Sequence, residues 1–202
     1  EDAPKRMFGG ERRKIGPVHL LVLDVATGEF FAYDPDLKGR DVEMLAFSFS
    51  DDGGVNLGGL SSTEGKGVNG SFFMKLDKDF NETGASVSEF ETDFITTSWS
   101  EKKKEDLEKK QEKGKNVDEP QLYNYYIDHL LSKPDGSCLI LAEQYYVRVV
   151  THTYTTANGG TQTTTTYYYY YNDIIALNYD KNGELAWKKV LPKKQVSTND
   201  GG

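Results

Sequence analysis

The chain is predicted to be all-β: repeated four-stranded antiparallel units of partial β-propeller type, with a β-sandwich as the alternative arrangement of the same strands. Three observations predict this. A strand ending in Asp, followed by a tight turn and a second strand, occurs three times. A strand, an Asp-Gly turn and another strand precede the second and third copies. The segment Gln144–Tyr171 is almost entirely β-branched and aromatic around Ala157-Asn158-Gly159-Gly160, which is how a long hairpin reads.

The recurring phrase first appears as Val18-His19-Leu20-Leu21-Val22-Leu23-Asp24 with Phe30-Phe31 beyond the turn. It returns at Ser71–Asp77 with the turn Lys78–Asn81, and at Ile174–Asp180 with Lys181-Asn182-Gly183. The Asp-Gly hairpins are Leu45–Gly59 and Tyr126–Leu141. Repeats tolerate insertions in turns while strand lengths hold, so the spacings locate what was added. Asp24 to Asp77 spans 53 residues and Asp77 to Asp180 spans 103. From the strand-ending Asp to the next Asp-Gly turn the interval grows from 29 to 59, and from that turn to the next Asp it grows from 24 to 44. About 30 extra residues therefore separate two units and 20 lie inside one hairpin. The units run over about 1–38, 42–95 and 122–192, with a charged insertion over about 99–120. Because a ring needs at least four such blades, and Asn199-Asp200-Gly201-Gly202 resembles the turn at Asp51–Gly54, the sequence reads as a fragment of a longer propeller.

The charged insertion, Glu101 to Lys115, is expected to be a short solvated helix. Ser98 or Ser100 can cap it, Gly114 can end it, and Leu107 is its only apolar side chain.

The hairpin insertion carries QYYVRVVTHTYTT in and TQTTTTYYYYY out. Asn158-Gly159 predicts a type I′ turn, which takes positive φ at both residues. That turn pairs Val150 with Tyr167, Tyr145 with Asn172 and Leu141 with Ala176. Ten added residues per arm carry the tip on the order of 30 Å outward.

Composition narrows the function. At 202 residues, 37% hydrophobic and 12% aromatic, the chain has material for a core. Its net charge of −8 argues against nucleic acid, whose binding rests on Lys and Arg. No apolar run approaches the ~20 residues of a membrane span. The single Cys138 lies in an apolar run and reads as a buried small hydrophobe. His19, His129 and His152 fall on separate strands without metal-ligand spacing, and no Gly-x-Ser-x-Gly elbow or phosphate loop occurs. The Gly53-Gly54 and Gly58-Gly59 pairs read as turn and close-packing glycines. No catalytic residue and no cofactor is expected. The weak exception is calcium at Asp77, Asp79 and Asn81, whose oxygens alternate as in a cation loop, although Glu82 stands where an EF-hand needs glycine.

Binding is expected instead at the tyrosines: Tyr145, Tyr146, Tyr154, Tyr167, Tyr168, Tyr169, Tyr170 and Tyr171 put rings on both faces of the ribbon. One face is expected to pack on the adjoining sheet and the other to meet a protein chain or a glycan. The expected function is a non-enzymatic interaction or scaffold protein, with a glycan-binding or carbohydrate-active propeller as the alternative.

The run from Asp135 to Gln195, with Ala-Glu-Gln-Tyr-Tyr, Tyr-Tyr-Tyr-Tyr-Tyr-Asn-Asp-Ile-Ile and Gly-Glu-Leu-Ala-Trp-Lys-Lys-Val-Leu-Pro, resembles uncharacterised propeller-like proteins exported by Bacteroidetes. The resemblance implies a propeller fold and a cell-envelope or secreted setting, and it implies no catalytic residue.

Overall fold

The structure is a computed structural model and describes residues 18–23, 25–63, 67–113 and 119–199. Its strands form three antiparallel sheets. The N-terminal sheet pairs β1 (Leu20–Leu23) with β2 (Phe30–Tyr33). The central sheet is a meander of β3 (Asp41–Phe49), β4 (Val55–Ser62), β5 (Gly70–Leu76) and β6 (Glu82–Glu89). Then come α1 (Thr92–Ile95) and α2 (Glu101–Glu112). The C-terminal sheet is a second meander, β7 (Tyr125–Ser132), β8 (Cys138–Thr155), β9 (Thr161–Tyr179) and β10 (Leu185–Leu191), with β11 (Gln195–Thr198) added to β9. The four-stranded unit read from the repeats is thus present twice. The described residues stack these sheets and do not close them into a ring.

The stack explains the apolar pattern of the central sheet. β4 is buried at every position and β5 at all but Lys75, because both faces of these two strands are covered. Leu60 and Phe73 face the C-terminal sheet and join Ile140, Ile175, Leu177 and Tyr179 in one core. Tyr179 stacks on Phe73 with ring centroids 4.6 Å apart, and its hydroxyl reaches Ser71 Oγ at 2.8 Å, so its polar tip is satisfied. Leu57, Phe72 and Met74 face the other way, toward Val18, Tyr33 and Leu37. Gly58 is required by this closeness: a Cβ there would lie 2.6 Å from Ile140 Cδ1. On the N-terminal side the sheet is held at its far end, where the Phe31 and Phe80 rings lie 5.2 Å apart and Tyr33 bonds Glu82.

Five turns share one geometry: Ser50–Gly54, Asp77–Asn81, Lys133–Ser137, Thr156–Gly160 and Asp180–Glu184. In each, the fourth residue's N–H donates to the first residue's carbonyl, and the first residue's N–H to the fifth's carbonyl, at 2.7–3.0 Å. The fourth residue has positive φ: Gly53, Phe80, Gly136, Gly159 and Gly183. This is a type I turn with a glycine bulge, which matches strand twist as well as a type I′ turn does.

That geometry corrects the expected ribbon turn. Gly159 has φ +75 but Asn158 does not have positive φ, so the turn is not type I′. The register shifts by one near the tip: Val150 pairs with Thr166 rather than Tyr167, and Tyr145 with Tyr171 rather than Asn172. A bulge between Glu143 and Tyr145 absorbs the difference, and Leu141 pairs with Ala176 as the sequence predicts. The bulge is tied down locally, since Tyr145 N–H donates to Asn124 O at 2.8 Å and Gln144 Nε2 to Tyr123 O at 3.1 Å.

Ser100 caps α2 by accepting from Lys103 N–H, as one of the two candidate serines was expected to do. The helix reaches its C-cap at Lys113, and Gly114, the expected stop, lies outside the described residues, as do residues 1–17 of the first unit and Asp200 to Gly202. No α2 side chain is fully buried, consistent with a solvated helix. α1 and β11 were not legible as elements. α1 is brief, and it is held by Ile95 in the core and by Phe94 packed 4.9 Å from the Phe90 ring. β11 has no pattern of its own and exists because β9 offers it an edge.

Candidate functional site

The ribbon is the outer half of β8 and β9. At its base three strands run side by side, since Gln195, Val196, Ser197 and Thr198 pair with Tyr171, Tyr170, Tyr169 and Tyr168. Asn199 closes this corner by bonding both backbone groups of Tyr167: its N–H donates to Tyr167 O and its Oδ1 accepts from Tyr167 N–H, each at 2.9 Å. Toward the tip only two strands remain, over Val149 to Thr155 and Thr161 to Tyr167. Thr151 and Thr153 meet Thr165 and Thr163 across the strands at 3.3 and 3.2 Å between hydroxyl oxygens.

The tyrosines pair with one another across the strands. On one face Tyr145 lies 5.0 Å from Tyr171 and 6.2 Å from Tyr126 between ring centroids. On the other, Tyr146 and Tyr170 stack nearly parallel at 4.7 Å. Lys193 Nζ stands 5.9 Å from the Tyr171 ring and bonds Glu143, which anchors the base with a partly buried ion pair. Burial raises the Tyr145 phenol above its ordinary pKa, with Tyr171, Tyr169 and Tyr126 adding to it.

No residue from Gln144 to Asp173 is fully buried. The expectation that one ribbon face packs on the adjoining sheet is therefore corrected: both faces meet solvent, and the partial burial of the rings comes from each other and from β11. The register is the reason, because the bulge at Gln144 detaches the outer half from the stack's face alternation. Tyr154 and Tyr167 are exposed near the tip, while Tyr168 and Tyr169 are half-buried beside β11. Val147 and Val149 are also exposed.

The weak calcium candidates serve a turn. Asp77 Oδ1 accepts from the N–H groups of Asp79 and Asn81, both at 2.9 Å, and the Asn81 amide reaches both carboxylate oxygens at 3.2–3.3 Å. Asp180 does the same for Asn182 and Glu184 N–H at 2.8 and 3.0 Å. Among the described residues no group of three or more His, Cys, Asp or Glu is placed to hold a metal ion. His19 bonds Asp34 at 2.6 Å on the surface, and His152 is exposed on the ribbon. Cys138 is buried, and burial raises its thiol pKa, which disfavours the reactive thiolate.

One cleft of about 170 Å³ lies where the Ser50–Gly54 and Lys133–Ser137 turns meet. Three of its charged groups, Lys133, Lys75 and Asp52, are engaged internally. Lys133 Nζ donates to Asn178 Oδ1 at 2.6 Å, Lys75 Nζ to Gly136 O at 3.4 Å, and Asp52 accepts from Ser50 and from Gly54 N–H. The buried Asn56 donates to Ser132 Oγ at 2.8 Å, and its Oδ1 has no hydrogen-bond partner among the described residues.

Fold and site together define a stacked antiparallel β-repeat protein bearing an exposed aromatic ribbon. No family model matches this sequence, and no curated protein or solved structure matches it either. No helix among the described residues is long and apolar enough to cross a membrane.

Proposed function

We propose that this is a non-enzymatic interaction or scaffold protein whose Tyr/Thr ribbon contacts a partner protein. The observation that carries the reading is that a ribbon of well over twenty residues is stiffened by β11, by stacked rings and by threonine pairs, yet buries none of them in its own core. Two-stranded ribbons are marginal in water, so this reinforcement has its physical use in holding aromatic surface in place for something else. Tyrosine suits that use because it carries a large apolar area and a polar tip with little conformational entropy to lose. The stacking of four-stranded units fits a propeller-type repeat, and the resemblance of residues 135–195 favours a cell-envelope or secreted setting.

The test places a photo-crosslinking amino acid at Val149 of the intact chain in cells, and separately measures the melting of a variant in which residues 145–171 are replaced by a short Asn-Gly turn. A crosslinked protein partner that depends on the ribbon is expected, with the body's melting unchanged. Equal crosslinking when the probe is moved to the α2 surface, or no protein adduct at all, overturns the reading. Binding of the intact chain to a glycan array that survives ribbon removal would favour a carbohydrate site elsewhere.

A further inference from the structure

The cleft between the Ser50–Gly54 and Lys133–Ser137 turns holds a polar group that the repeat does not call for. Counting from the positive-φ glycine of each turn, Asn56 of β4 stands where the next unit has Leu139. Asn56 lines the cleft and is 2% exposed; its Nδ2 donates to Ser132 Oγ, and its Oδ1 has no partner among the described residues. Burying an unbonded amide oxygen is costly where a leucine would serve, so this asparagine calls for a donor from outside the chain. Strand pairing sets Ser48 and Lys75 on either side of Asn56, on the same face of the sheet. Lys75 Nζ commits one of its three donors to Gly136 O at 3.4 Å and keeps the others. Asp51 adds an exposed carboxylate to the lining. The walls are fixed by their own bonds. Ser132 Oγ also meets Ser48 Oγ at 2.8 Å, and Ser137 N–H and Oγ donate to Asp135 Oδ1 at 2.9 and 2.6 Å. Gly54 lies against β5 so closely that a Cβ would come within 2.3 Å of Leu76 O. The cleft is thus a preformed site with polar groups converging on it.

Its lining selects a ligand class. An anion would face Asp51 and Asp52 and bring Asn56 Oδ1 no donor, whereas a cation would face Lys75 and Lys133. Among the described residues no aromatic side chain lines the cleft to stack a planar ring. A hydroxyl both donates and accepts, so neighbouring hydroxyls on one ring can satisfy an amide oxygen, an ammonium and a carboxylate together. A cavity of about 150 Å³ takes a benzene ring, so one of about 170 Å³ matches a single six-membered ring. We infer that the cleft binds one pyranose through two neighbouring hydroxyls. One donates to Asn56 Oδ1 and accepts from Lys75 Nζ, and the next donates to the Asp51 carboxylate. A free monosaccharide and the terminal sugar of a glycan share this chemistry. The site is separate from the ribbon and does not depend on what the ribbon contacts.

The experiment is an NMR titration of the full chain with free glucose, galactose, mannose and N-acetylglucosamine in millimolar excess. At least one sugar is expected to shift the Asn56 side-chain amide together with the Lys75 and Ser137 backbone amides, while the ribbon signals from Val149 to Tyr167 stay in place. Asn56→Leu installs the residue of the next unit, and Lys75→Met keeps the aliphatic stem. Each should weaken that binding about tenfold, the loss of one hydrogen bond, while circular dichroism reads an unchanged fold. Methyl pyranosides of the same sugars, in both anomers, separate the two sources: binding of a glycoside marks a terminal glycan sugar, and binding of the free sugar alone marks a monosaccharide. No shift with any of these sugars, which would assign the amide oxygen to water, overturns the inference. Shifts confined to the ribbon, or a variant that binds like the parent, overturn it as well. The crosslink at Val149 is read independently, so the ribbon's proposed role stands or falls on its own result.

Discussion

The hairpins β4–β5 and β8–β9 occupy the same place in successive units and have opposite fates. β4 and β5 are buried almost throughout, and their loop residue Val68 pairs with Leu122, the segment that leads into the next sheet. The inner halves of β8 and β9 behave likewise, with Cys138, Ile140, Ala142, Ile175 and Leu177 in the core. Past Gln144 burial stops, and the same hairpin becomes a solvated ribbon. Its flank still pairs with the segment that follows the unit, now as the four-residue strand β11 instead of a single bridge. An insertion in this position thus lengthens the hairpin outward without disturbing the wiring at its base. Packing dictates the buried half, whereas the outer half is held only by neighbours within its own sheet.

That contrast can be broken most severely in the inner half. Phe73→Ala removes the ring stacked on Tyr179 and should cost about 3–5 kcal/mol in chemical denaturation. Val149→Ala on the ribbon should move the same curve by less than about 0.5 kcal/mol. Equal losses at the two positions would show that the ribbon is part of the cooperative core.

The next effect compares two glycines. Gly58→Ala places a methyl 2.6 Å from Ile140 Cδ1 and 3.2 Å from Leu130 Cδ1, and overpacking of this kind costs about 1–3 kcal/mol. Gly159→Ala meets nothing within 4 Å, but forces an L-residue to φ +75, for about 1–2 kcal/mol that falls on the ribbon tip alone. Hydrogen exchange should show fraying from Val149 to Thr166 in the second variant and global weakening in the first.

Acid should act on the turns that both regions share. Ser50 and Gly54 N–H hold the Asp52 carboxyl below its usual range, Asn81 holds Asp77 there, and Ser137 holds Asp135 there. Each pKa is depressed in the folded chain, so its stabilisation is complete above the unfolded value near ~3.9 and is lost as pH falls through the folded one. Melting temperature should hold from about pH 7 to 5 and decline below about pH 4. Asn replacement at all three positions should flatten that decline, and an unchanged acid slope would assign it to other groups.

The smallest effect concerns Phe80, a bulky residue at φ 61 where the equivalent turns have glycine. Phe80→Gly relieves the backbone and loses the ring contact with Phe31, so calorimetry should find a change within about 1 kcal/mol and a looser N-terminal sheet.

Much of this architecture was legible in residue patterns. The strand-ending Asp77 and Asp180 announced two of the repeated turns, and the Asp-Gly pairs two more, because a carboxylate that accepts its own turn's N–H groups is a local device. The spacing between them located both insertions. The ribbon's outer register was not legible, since Asn-Gly is compatible with two turn geometries that differ by one residue in pairing, and the compensating bulge depends on Asn124, just before β7. The tyrosines were legible as a cluster, but not in their exposure, which depends on what lies beside each face.

By itself, the sequence determined the all-β class, the four-stranded unit, the long hairpin and the capped charged helix, because propensity, turn chemistry and period act within a few residues. Tertiary structure alone decided which sheet faces are covered, that β11 joins the ribbon, and that Leu45, Phe47 and Phe49 are exposed while β4 and β5 beside them are buried. Those outcomes depend on elements far apart in the chain meeting at one surface, and no local pattern carries that information.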